Sequence, residues 1–146
     1  MIIMKKLISF ILVLLCLCSL AACAKDQPKI RGWAQNLNRE NVSSVEIWSA
    51  DDENIPLDEA QILELVTLLN HLSKGNFTEN KKLVGITPLV GIKMQIDAES
   101  YHINYAPSPN GKHGMLEISY GEKLWWIDDA ALLEYFMTVI DGKQVS

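Results

Sequence analysis

Val90-Gly91-Ile92-Lys93-Met94-Gln95-Ile96, then Asp97-Ala98-Glu99-Ser100, then Tyr101-His102-Ile103-Asn104-Tyr105: this stretch reads as two alternating runs joined by a short polar segment. Val90, Ile92, Met94 and Ile96 alternate with Gly91, Lys93 and Gln95, and Tyr101, Ile103 and Tyr105 alternate with His102 and Asn104. A period of two puts successive side chains on opposite sides of a strand. The stretch therefore predicts an antiparallel hairpin with one apolar and one polar face. A sheet that is apolar on one face needs cover on that face alone.

The same period continues outward in both directions. Residues 106–112 include Pro107, Pro109 and Gly111 and predict a loop, because proline cannot donate to a ladder. Leu116, Ile118 and Tyr120 then alternate with Glu117 and Ser119, Gly121-Glu122 turns the chain, and Leu124-Trp125-Trp126-Ile127 runs back. Towards the N-terminus, residues 42–49 carry Val45 and Ile47 on one side and Ser44, Glu46 and Trp48 on the other. Asp51-Asp52-Glu53-Asn54 is a polar turn that lacks the spacing of a calcium loop.

Between the first strand and the hairpin the period changes to that of a helix. Asp58 and Gln61 have capping-box spacing, Leu57 and Ile62 can form a staple, and Ile62, Leu65, Val66, Leu69 and Leu72 make one stripe. This predicts a helix over about 59–73, with Gly75 in the left-handed position after its last turn and a polar loop from 76 to 82. Asp128 or Asp129 can cap a final helix with a stripe of Leu133, Phe136, Met137 and Ile140 and a stop at Gly142. Trp33 and Leu37, four apart, predict a short helix against the edge of the core. The expected fold is α+β: a single antiparallel sheet of about five strands, in the order β-α-β-β-β-β-α, with two main helices packed on one face.

The face away from the helices would then carry Lys93, Gln95, His102, Asn104, Glu117 and Ser119, together with Trp48 and one of Trp125 and Trp126. Tryptophan combines a large apolar area with a single donor and recurs at binding hot spots. Trp48, Lys93, Gln95, His102, Asn104 and Trp126 are therefore the expected ligand or partner surface. The competing expectation is that the outward tryptophan is shielded by the 106–112 loop or by the segment around Trp33.

Catalytic and cofactor motifs are absent: no H-E-x-x-H, C-x-x-C or G-x-S-x-G, and no glycine loop for phosphate. His71, His102 and His113 have no second histidine at ligand spacing, so no metal and no cofactor is expected. Asp97/Glu99 and Asp128/Asp129 are turn and cap residues.

The N-terminal residues carry a different signal. Lys5 and Lys6 precede an apolar run over 7–20, and Leu20-Ala21-Ala22-Cys23 closes it. The run is shorter than the roughly 20 apolar residues of a membrane span and matches the core of a signal peptide. Charge, apolar core, small residues and cysteine in this order resemble the signal peptide and lipobox of bacterial lipoproteins. The resemblance implies removal of residues 1–22, a diacylglyceryl group on the Cys23 thiol, a tether over 23–30 and one α+β domain over 31–146. Cys16 and Cys18 would leave with the leader, so no thiol would remain for a disulfide, a metal or a nucleophile.

Residues 1–22 hold two of the 13 basic side chains and none of the 18 acidic ones, which leaves 11 against 18, a formal −7. That sign excludes a nucleic-acid partner, so membrane attachment would rest on the lipid at Cys23. Ala24 after the cysteine does not resemble an inner-membrane retention signal. The expected function is a non-enzymatic binding or accessory module, lipid-anchored on the extracytoplasmic face of the cell membrane, that contacts an envelope protein or a small ligand. The alternatives are a small cell-envelope hydrolase with a site near His102 and the 106–113 loop, and a structural spacer.

Overall fold

A computed structural model describes residues 29–83, 87–107 and 115–144. Cys23, the leader and most of the 106–113 loop lie outside the described residues. Along the chain run α1 (Lys29–Gln35), β1 (Val42–Ser49), β2 (Ile55–Pro56), α2 (Glu59–Asn70), β3 (Phe77–Glu79), β4 (Val90–Ile96), β5 (Glu99–Tyr105), β6 (Leu116–Tyr120), β7 (Lys123–Ile127) and α3 (Ala130–Gln144). The strands form one antiparallel sheet in the order β2-β1-β4-β5-β6-β7-β3.

The α+β class and the single antiparallel sheet hold, but the count is seven strands and three α-helices among the described residues. The two extra strands are β2, with two residues of which one is proline, and β3, with three. Both are edges, where pairing on one side suffices and a period has no length in which to show.

Register sorts the side chains. Ile47, Ile92, Ile103, Ile118 and Trp125 stand opposite one another across β1, β4, β5, β6 and β7, so they share a face. Tyr105, on that face, stacks on Phe136 of α3, and Tyr101 packs on Trp33 of α1. The core thus lies between this face and the helices, with Ile62, Leu65, Val66 and Leu69 of α2 and Leu132, Phe136 and Ile140 of α3 buried in it.

Local chemistry sets the boundaries. The Asp58 side chain accepts from the Gln61 backbone and the Gln61 side chain accepts from the Asp58 backbone, the reciprocal cap the sequence predicts. The helix ends at Asn70 rather than near Ser73. Asn76 Oδ1 takes both the backbone N–H and the hydroxyl of Ser73, and the chain turns through a 3-10 segment, Lys74–Asn76. Gly75 lies inside that segment and is not left-handed, contrary to expectation.

Asp129, not Asp128, caps α3, accepting from Leu132 N at 2.8 Å. The helix continues past Gly142 to Gln144, and its buried stripe is Leu132, Tyr135, Phe136, Val139 and Ile140. Met137, expected inside, is 37% exposed. The Tyr135 hydroxyl fixes this rotation by donating to the Gln61 carbonyl at 2.8 Å, and burial pushes its pKa up. At the other end, α1 begins at Lys29 and buries Ile30 and Ala34, with Leu37 buried just beyond it, so the core reaches into the stretch read as tether. No helix among the described residues is long and apolar enough to cross a membrane.

Candidate functional site

Trp48, Gly91, Asn104, Glu117, Trp126 and Thr78 stand in register on successive strands from β1 to β3, on the face opposite the helices. Trp126 is therefore the outward tryptophan, and Trp125 faces the core. The indole N–H of Trp48 reaches across β4 and donates to Asn104 Oδ1 at 3.1 Å. Only glycine permits this: a Cβ on Gly91 would lie 2.4 Å from Trp48 Nε1, 2.6 Å from Asn104 Oδ1 and 2.7 Å from the Ile103 carbonyl. A glycine inside a strand marks such a close approach; that signal was present in the sequence, but its partners were not.

His102, exposed, meets the edge of Trp48 with ring centroids 6.0 Å apart. Desolvation and the nearby Lys93 charge lower its pKa, with Glu46 pulling the other way, so the ring is held neutral at neutral pH. Lys93 pairs with Glu46 at 3.3 Å, and the same carboxylate oxygen accepts from Asn54 Nδ2 at 2.8 Å. Gln95 Oε1 accepts the Ser100 hydroxyl at 2.6 Å.

All six residues expected at the site thus share one face, but they do not form one cluster. Trp48, His102 and Asn104 touch, with Lys93 beside them, whereas Gln95 is engaged further along the strands. Four strand spacings separate Trp48 from Trp126, roughly 19 Å.

The face is not uniformly open, as the sequence reading had it. Trp126 is 2% and Glu117 6% exposed. The shield is not the Trp33 segment, because Trp33 packs on Tyr101 and Tyr120 on the helix side. Glu117 makes no hydrogen bond or ion pair among the described residues, and desolvation raises its pKa. Sequence reasoning placed Glu117 on this face but did not single it out, since alternation tells which side a residue takes and not how deeply it is covered.

Chemically, the surface offers an aromatic edge, a neutral imidazole, an amide whose oxygen is occupied, and a buried carboxyl. Among the described residues no acid hydrogen-bonds His102, and no three His, Cys, Asp or Glu side chains are placed to hold a metal ion. No family model, curated protein or solved structure matches this chain.

Proposed function

We propose that the protein is a lipid-anchored extracytoplasmic module that binds a partner or small ligand through the face of its sheet opposite α1, α2 and α3. The observation that carries the reading is the Trp48–Asn104 hydrogen bond over Gly91. It holds a half-buried aromatic ring in one orientation on a face with no packing duty towards the helices, and pre-organised aromatic groups lose little entropy on binding. His102 and the Lys93–Glu46 pair supply polar contacts beside it. The anchor rests on the lipobox Leu20-Ala21-Ala22-Cys23.

The test is crosslinking capture of the anchored protein in its own cells, comparing the wild type with Trp48→Ala, Asn104→Ala and Cys23→Ala. Trp126 is left intact, because truncating a buried tryptophan would unsettle the fold. A partner lost with Trp48→Ala and Asn104→Ala supports the surface, and release from the membrane fraction with Cys23→Ala supports the anchor. An unchanged capture profile in both surface variants removes this face from consideration.

A further inference from the structure

On the other side of the sheet, where α1 meets the turn between β4 and β5, lies an open cavity of about 380 Å³. Trp33 and Tyr101 form its aromatic wall, with ring centroids 5.0 Å apart and planes tilted by 42°, and Leu37 and Ile96 provide apolar surface. Its rim carries two carboxylates, Asp97 and Glu99, and among the described residues none that lines it is a lysine, arginine or histidine.

The Glu99 carboxylate accepts the Tyr101 hydroxyl at 2.5 Å. Burial, and then this bond, push the Tyr101 pKa up to about 12, so the phenol remains a donor. Neither Asp97 nor Glu99 is ion-paired among the described residues, although Lys93 and Lys123 elsewhere on the sheet are paired with Glu46 and Glu79. Asp97 itself sits at a φ of 49°, a left-handed position held by its backbone N–H donating to the Asn41 carbonyl at 3.0 Å. The Trp33 indole N–H is buried with no acceptor among the described residues, so this corner is not saturated by the protein's own groups.

We propose that this cavity binds a small organic cation, an alkylammonium group, held over the Trp33 and Tyr101 rings and neutralised by Asp97 and Glu99. An aromatic wall attracts a cation through the negative face of its ring, most strongly for tryptophan and more so once the site is desolvated. Unpaired carboxylates add Coulomb attraction, and the described lining residues bring no positive charge to compete with the cation. The site lies across the sheet from the Trp48 surface, so it does not rest on the function proposed above.

The full chain, in an uncharged detergent, is titrated with choline and with its neutral carbon analogue, in which carbon replaces the ammonium nitrogen. Calorimetry and tryptophan fluorescence report binding. Saturable binding of choline and none of the analogue is expected. Trp33→Phe should weaken binding about tenfold, and Asp97→Asn with Glu99→Gln by about as much. Asparagine tolerates the left-handed backbone at 97, so the double variant keeps the turn, and circular dichroism checks its fold.

Tighter binding of choline than of phosphocholine assigns the site to a free alkylammonium compound, and the reverse to a lipid headgroup; either keeps the cation. Equal binding of choline and its neutral analogue, no binding at millimolar concentration, or full affinity in the double variant overturns the proposal.

Discussion

Gly91 and Glu117 occupy the same rung of the sheet and pose opposite problems. At Gly91 the difficulty is space, since any side chain displaces the Trp48–Asn104 bond. Gly91→Ala should destabilise the fold by about 1–3 kcal/mol, the usual cost of overpacking, and chemical denaturation measures it. At Glu117 the difficulty is charge. Burial raises its pKa in the folded state, so over the interval between the ordinary carboxylate value and the raised one the folded chain holds a proton that the unfolded chain has released. Stability therefore falls as pH rises through that interval, and the loss is complete above the folded pKa. Glu117→Gln should melt higher than the wild type at neutral pH, with the difference shrinking as pH falls through that interval and gone below the ordinary glutamate pKa of about 4.3. A melting difference that ignores pH would show that the carboxyl is not desolvated when charged.

Among the elements, those fixed by neighbours in sequence could be read directly, and those fixed by distant partners could not. β1 and β4 extend where their alternation predicts, and α2 begins at its capping box. Asp58→Ala should cost about 1 kcal/mol of stability through the loss of that cap. The β4–β5 and β6–β7 turns are each two residues long. Gly121 and Glu122 are left-handed at φ 58° and 64°, which suits the twist of a hairpin, whereas in the β4–β5 turn Asp97 takes the positive φ. The helix ends depend on longer reach. Asn76 donates to the Asp128 carbonyl at 2.7 Å while its side-chain oxygen holds Ser73, so one amide joins the exit of α2 to the entry of α3. Asn76→Ala should cost roughly 1–3 kcal/mol, measured by denaturation, and shift both segments in amide exchange. Gly75 and Gly142 were read as helix stops on local preference alone; the Asn76 bonds at one end and continued helical pairing at the other overrode it.

At the scale of the molecule, one face of one sheet carries the core, and the described residues have a single apolar interior. Truncating its centre should be felt everywhere: Ile103→Ala, fully buried on β5, should cost about 2–5 kcal/mol and leave one cooperative transition, with near- and far-UV circular dichroism superimposing. The sequence by itself determined the class, the main strands, the start of α2 and which residues share a face, because period and cap chemistry act over a few residues. Lys93, Gln95, His102 and Asn104 could be placed together for that reason. Tertiary structure alone decided the rest. Trp48 and Asn104 are 56 residues apart, and only the order β1-β4-β5 brings them within a hydrogen bond. The outward turn of Trp126, the rotation of α3 about Tyr135, the edge pairing of β2 and β3 and the cavity between α1 and the β4–β5 turn likewise depend on register and packing across the chain. Alternation supplies the side a residue takes, whereas depth of burial and choice of partner are properties of the assembled sheet.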